Sequence, residues 1–254
     1  MPNQERPTLE PGSAAELPHA GGFGLVKISG PEAKKFLQGQ LTCNLEEVSE
    51  TQSRLGAHCN PQGRVLFLFR IFLFQSAYYL VLPREIVSSA LLSLKKYAPF
   101  FKLELSNASE NSPTALMEQA AAEWRYFDLS QGIPQVYPET SALFLPHELK
   151  LHELQGLSWD KGCYTGQEII ARMHYKGKLK NHLYRATLQT PALPRPGAEL
   201  LLVSPAGRSP AGFIVDYRQV GYNLYQLLVL TQESNRTKAL QLDPEQIETW
   251  EWLN

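Results

Sequence analysis

Lys161-Gly162-Cys163-Tyr164-Thr165-Gly166-Gln167-Glu168 places a thiol, a cation, two glycines and a helix start within one short stretch. Thr165 followed three positions later by Glu168 has the form of a capping box, and the apolar Ile169, Ile170 and Met173 follow directly behind it. The pattern predicts a helix over about 166–174. With Thr165 as N-cap, Cys163 lies two residues ahead of it, where unpaired backbone N–H groups favour negative charge. Lys161 adds a second positive influence, and both lower a thiol pKa when the sulfur lies close to them. Gly162 and Gly166 permit a tight turn or a close approach of backbone to a flat ligand. The same residues also describe a buried structural cysteine in a loop before a helix, and spacing alone does not separate the two readings.

Working outward, the chain of 254 residues is long enough for one large or two modest domains. Hydrophobic residues make up 43% and charged residues 19%, which predicts a packed core rather than disorder. The formal net charge of −1 gives no global electrostatic case for nucleic-acid binding, so any such case rests on a local patch. The three cysteines, Cys43, Cys59 and Cys163, form no metal-like cluster, and so low and odd a count fits a reducing, cytoplasmic compartment. The first twenty residues lack the apolar run of a secretory signal. The most apolar stretch, Leu66 to Leu82, is interrupted by Arg70, Gln75 and Ser76, so it reads as strands and not as a membrane span.

In chain order, Phe23 to Ser29 reads as a strand, and Gly30-Pro31 opens a helix carrying Ala33, Phe36 and Leu37 on one face. Arg54 to Cys59, Arg64 to Phe74 and Tyr78 to Leu82 read as strands, the first two joined by the turn Asn60-Pro61-Gln62-Gly63. Pro83 to Tyr97 has helical spacing, and Phe101 to Leu105 reads as a further strand. This predicts a compact α+β unit over 54–106. Glu118 to Ser130 reads as a short helix. Arg172 to Arg185 holds five cations and no acid, with His174 and His182 beside them. A solvated basic loop explains that run, and so does a subsite for an anionic group. From Leu183 onward, short strands separated by Pro–Gly turns predict a small barrel. The C-terminal residues, with Trp250 and Trp252, carry no further motif.

The stretch 161–168 resembles the YgfZ family of folate-binding proteins, whose hallmark is K-G-C-(F/Y)-x-G-Q-E. Every fixed position of the hallmark is present. Phe36-Leu37-Gln38-Gly39-Gln40-Leu41-Thr42 is similar to that family's early stretch, and Cys59-Asn60-Pro61-Gln62-Gly63-Arg64 to its hairpin turn. Pro146-His147-Glu148 and Gly156-Leu157-Ser158-Trp159 match the approach to the hallmark. The resemblance runs from about Phe23 to Arg185.

The resemblance implies an α+β fold like the T-protein of glycine cleavage: discontinuous α+β subdomains around a central hole that takes tetrahydrofolate, plus a small C-terminal β-barrel. The corresponding division is 1–53 with 107–182 as the folate-binding subdomain, 54–106 as an inserted ferredoxin-like subdomain, and 183–254 as the barrel. It further implies an accessory role in iron–sulfur cluster assembly or repair. The partners would be iron–sulfur enzymes or assembly factors, with tRNA modification affected indirectly and no membrane involved. Carried over by position, Cys163 is the functional thiol, with Lys161 beside it. Phe23, Glu148, Tyr164, Gln167 and Glu168 are candidates for the folate, Glu148 because a carboxylate can accept the paired N–H groups of an aminopterin. A thiolate at Cys163 can hold iron or a cluster transiently, or attack a disulfide; no resident metal is implied.

The departures are equally specific. Aminomethyltransferases of the superfamily carry an Asp pair after the hairpin glycine, one of which serves catalysis, whereas Phe67 and Leu68 stand there in this chain. General acid–base help for aminomethyl transfer is missing at that place. Lys150 stands where many relatives have Asn. A folate-dependent one-carbon transferase is therefore the alternative reading, and a direct tRNA-binding module using 172–185 a third.

Overall fold

The computed structural model describes residues 22–110, 129, 131–205, 207–242 and 248–253. Five strands build the first sheet: β1 (Phe23–Ser29), β2 (Arg54–Cys59), β3 (Val65–Phe74), β4 (Ala77–Pro83) and β5 (Glu104–Asn107). Their order is β2-β3-β4-β1-β5, antiparallel throughout. β1 therefore sits inside the sheet, between β4 and β5. The β3–β4 hairpin closes on Gln75 and Ser76, with φ of 47° and 59°, as a two-residue primed turn requires. Register places Val26, Ile71 and Leu80 on one face with Phe67, Phe69 and His58. Helix α2 (Val87–Lys95) covers that face, with His58 Nε2 3.1 Å from the Ser93 hydroxyl. Helix α1 (Ala33–Gln40) buries Ala33, Phe36 and Leu37, as their spacing predicts.

The second sheet runs β10-β7-β8-β9-β6-β11. It comprises β6 (His182–Gln189), β7 (Glu199–Ser204), β8 (Gly207–Gly221), β9 (Leu224–Thr231), β10 (Leu240–Gln241) and β11 (Thr249–Leu253). β10 and β11 lie at opposite ends of that order, so the barrel is a half-barrel. Its strand β9 explains the uninterrupted apolar run Leu227–Leu230. Leu227 and Val229 belong to the barrel's own core, whereas Leu228 and Leu230 join the core shared with the first sheet. Val215 and Leu183 make the same crossing, and Phe213 meets Phe144 with ring centroids 6.4 Å apart.

Buried Asp216 in β8 ties the intervening segment to the barrel. It accepts from Gln135 N at 3.1 Å, the Tyr137 hydroxyl at 3.0 Å and Tyr217 N at 2.8 Å. Helix α3 (Gln167–Lys176) follows a run of turns over residues 146–155. Within that run Lys150 takes φ 57°, a left-handed conformation that Asn adopts with less strain. The helix expected over Glu118 to Ser130 lies outside the described residues except for Leu129, which is helical. No helix among the described residues is long and apolar enough to cross a membrane.

Candidate functional site

Stretches of sequence more than 100 residues apart meet around the 161–168 loop. Thr42 donates its hydroxyl proton to the Gly156 carbonyl at 2.6 Å, and its own carbonyl accepts from Ser158 N at 2.9 Å. Thr165 N donates to the Gly39 carbonyl at 3.2 Å, and Thr165 Oγ1 to Gln40 Oε1 at 3.2 Å. Lys161 Nζ donates to the carbonyls of Leu41 at 2.7 Å and Cys43 at 2.8 Å. The segment from Gly39 to Cys43 is thus fastened to the hallmark loop at four successive points. The turn at 60–63 comes in from a third direction. A Cβ placed on Gly166 would lie 2.6 Å from the Asn60 carbonyl oxygen, and one on Gly63 3.0 Å from Ile169.

This arrangement corrects the expected helix start. The N-cap is Gly166 at φ 84°, with no side-chain cap, and the helix runs Gln167–Lys176. Thr165 does not form a capping box with Glu168, because its hydroxyl is turned to Gln40. Only glycine fits at 166, on grounds of both φ and space. Cys163 therefore sits three residues ahead of the N-cap, and it is exposed.

Lys161 is a clamp. Among the described residues its hydrogen bonds run to the two carbonyls and not to the Cys163 thiol, and its ammonium lies 5.2 Å from the Tyr164 ring centroid. Burial depresses its pKa to about 8, against a smaller opposing influence from Cys43. The other two thiols are chemically muted. Cys43 is pushed up to about 12 and Cys59 also upward, both by burial.

The remaining candidates divide. Tyr164 is buried, its hydroxyl has no partner among the described residues, and burial raises its pKa. Gln167 turns inward, its Oε1 accepting from Tyr164 N at 3.3 Å, while Glu168 is exposed in the first turn of α3. Glu148 is half-buried, and one carboxylate oxygen accepts from Leu145 N at 2.9 Å, which fixes the side chain across its own turn. Phe23 is half-buried at the start of β1 and packs with Leu25, Val81, Phe72 and Ala108, none of them part of the hallmark loop. Phe67 and Leu68 are 1% and 0% exposed, positions at which a carboxylate would be buried in hydrocarbon.

A cluster that the sequence reading did not assemble adjoins Glu148. His147, Trp159 and His174 form a stack: Trp159 lies 4.2 Å from His174 at 27°, and His147 lies 5.9 Å from His174 at 30°. His152 joins at 5.1 Å from His147, and Tyr175 at 4.9 Å from His174. His147 is 5% exposed and neither ring nitrogen has a partner among the described residues. Burial, then the neighbouring His152 and His174, lower its pKa to about 4. Its partners come from three separate segments, so only their proximity to the hallmark could have signalled the cluster. The described His, Cys, Asp and Glu side chains form no group of three or more able to hold a metal ion. A cavity of about 290 Å³ between α2 and β3 is lined by Leu66, Phe67, Ser89, Leu92, Ser93, Lys96 and Ser141, and it shares no residue with the hallmark loop.

The residues implied for a pterin partly fit one. Glu148 keeps one carboxylate oxygen free of its own turn, and the ring of His147, its neighbour in sequence, has no partner among the described residues and offers a donor and an acceptor.

No family model matches the chain. The chain is 28% identical to tRNA-modifying protein YgfZ of Colwellia psychrerythraea, over 68% of this chain and 73% of that protein. It is 28% identical to tRNA-modifying protein YgfZ of Hamiltonella defensa, over 70% and 71%, and 26% identical to that of Vibrio atlanticus, over 66% and 68%. Among solved structures it is similar to the glycine cleavage system aminomethyltransferase T of Bartonella henselae. That likeness has a TM-score of 0.57 and 14% identity, and covers 89% of this chain and 81% of that one. The resemblance to YgfZ proteins read from the hallmark is therefore borne out, and the fold is that of the glycine-cleavage T-protein.

Proposed function

We propose that this chain, like the tRNA-modifying YgfZ proteins it resembles, is a reduced-folate-binding accessory factor that supports iron–sulfur cluster assembly or repair and through it tRNA modification. The observation that carries the reading is the selective exposure of Cys163. Of the chain's three thiols, two are buried at 2% and 0% exposure, and the third stands open on a loop tied down at three backbone carbonyls and the Gln40 side chain. A thiol displayed in this way is accessible to a metal ion, a cluster or a disulfide. Tetrahydrofolate would be held by Glu148, with the His147 ring beside it, and would supply a carrier of one-carbon units. Aminomethyl transfer is the weaker reading, because positions 67 and 68 offer no acid to move a proton.

The test uses two variants of the full chain. Calorimetry with tetrahydrofolate should show binding that Glu148→Gln weakens about tenfold or more, as expected when a charged hydrogen bond is lost. In cells lacking the endogenous protein, the wild-type chain should restore a cluster-dependent tRNA-modifying activity and Cys163→Ala should not. Full rescue by Cys163→Ala would remove the thiol from the mechanism, and absence of heat on folate addition would remove the cofactor.

A further inference from the structure

Trp159, His174 and Tyr175 form the aromatic part of a surface for which neither the folate reading nor the thiol has a use. Trp159 and His174 are stacked at 4.2 Å, and Tyr175 stands on edge to His174 at 80°, with 73% of its surface in solvent. A phenol ring so exposed, yet braced against an imidazole and an indole, is a ready stacking face. Along the chain after Glu168 the charge has one sign. Between Glu168 and Glu199 the chain has no acid and carries Arg172, Lys176, Lys178, Lys180, Arg185 and Arg195. Arg172, Lys176, Lys178 and Lys180 are exposed. The three lysines alternate with Gly177 and Leu179 immediately after Tyr175: Lys176 ends α3, and Lys178 and Lys180 lie in the irregular segment that leaves it. The acids nearest in sequence to the stack are Asp160, next to Trp159, the exposed Glu168 in the first turn of α3, and Glu153, whose carboxylate lies 3.6 Å from His152 Nε2.

We propose that the end of α3, with Tyr175 as the stacking ring and Arg172, Lys176, Lys178 and Lys180 as the phosphate contacts, binds single-stranded RNA. A folded duplex buries its base faces, whereas an unpaired base can lie on an exposed tyrosine while a row of cations follows its phosphates. A local basic segment can do this on a chain of net charge −1, since phosphate contacts act over about a Debye length. A polyanion lacking rings would use the lysines and leave Tyr175 idle, and that difference separates the proposal from a general anionic patch. The proposal does not depend on folate binding.

The experiment is fluorescence anisotropy of a 5′-labelled 12-nucleotide single-stranded RNA of mixed sequence, titrated with the full-length protein between 50 and 200 mM KCl. Binding should weaken with salt at roughly −0.7 in log–log slope per phosphate contacted. Tyr175→Ala should reduce affinity about 5- to 100-fold, the range for loss of one stacked base. The triple change Lys176→Gln, Lys178→Gln, Lys180→Gln should flatten the salt slope by roughly 2. Thermal melts of both variants check that the fold is kept, and tetrahydrofolate calorimetry on them should be unchanged, which keeps this result separate from the folate reading. Equal affinity for duplex RNA, undiminished binding by Tyr175→Ala, or no salt-dependent binding would each overturn the proposal.

Discussion

Gly166 holds the hallmark loop by being unable to hold anything else. Its φ of 84° and the 2.6 Å approach of an added Cβ to the Asn60 carbonyl act together, so Gly166→Ala meets both backbone strain and a backbone clash. Urea unfolding should show a loss of at least about 1–3 kcal/mol, the cost of such strain, and Cys163 should react with a thiol reagent at an altered rate as its loop shifts. His147 predicts the opposite sign. Its buried ring nitrogens lack partners among the described residues, and an unsatisfied buried polar group costs about 1–3 kcal/mol. His147→Phe should therefore leave stability at pH 7.5 unchanged or raised. Its folded pKa of about 4 lies below the ordinary 6.5, so between those values the unfolded chain binds the extra proton. The wild type thus keeps its full stability above about pH 6.5 and loses part of it as pH falls toward 4. His58 adds to the same loss: its Nδ1 donates to the Gln40 carbonyl at 2.9 Å, and burial also lowers its pKa to about 4. Each histidine contributes a slope of up to about 1.4 kcal/mol per pH unit. Denaturation at pH 7.5 and 5.0 should show His147→Phe narrowing the gap between the two; an unchanged gap would mean that His147 is not the titrating group. At this scale the residue types of the hallmark were legible and their geometry was not. Thr165 and Glu168 have the right letters for a capping box, but a partner 125 residues away, Gln40, takes the threonine hydroxyl.

Among the elements, strands were read well where one face is polar or a turn residue marks the end. β1 and β2 fall where alternation and punctuation put them, and the Asn60–Gly63 turn closes with Gly63 N donating to the Asn60 carbonyl at 2.9 Å. The final strand was missed because its evidence is tertiary. Trp250 and Trp252 share a face two residues apart, and β11 pairs with β6 while Arg236 lies 4.6 Å from the Tyr184 ring and 5.5 Å from Trp252. Asp216 was likewise silent in the sequence, one acid within a strand of otherwise ordinary composition. The bonds it accepts from Gln135 N and the Tyr137 hydroxyl make it the joint between residues 135–137 and β8, and a third, from Tyr217 N, holds it within its own strand. Asp216→Ala strands those donors in a site 1% exposed to water. A loss of about 3 kcal/mol or more is expected in chemical denaturation, whereas Tyr137→Phe, which removes one donor, should cost about 1 kcal/mol. Equal costs for the two would mean that the carboxylate's other bonds contribute nothing.

At the scale of the molecule, the shared core decides how the chain unfolds. Leu183, Val215, Leu228 and Leu230 of the half-barrel lie in the same buried cluster as Phe36, Leu80 and Ile170, so the half-barrel cannot leave without exposing the first sheet's interior. The hallmark loop rests on that cluster through Tyr164 and Ile170, which couples the display of Cys163 to the integrity of both sheets. Small domains with one continuous core unfold in a single cooperative step, and two sheets joined through such a core should behave alike. Tryptophan fluorescence offers reporters on both sides, with Trp159 beside the hallmark loop and Trp250 and Trp252 on the barrel. With the fourth tryptophan, Trp124, changed to Phe in both, urea transitions followed by fluorescence in a Trp159→Phe variant and in a Trp250→Phe, Trp252→Phe variant should coincide with each other and with loss of far-ultraviolet circular dichroism. Two separated transitions would show that the barrel melts alone. The exposure of Cys163 would then depend on the first sheet alone, and mutations in β8 or β9 would leave its reactivity untouched.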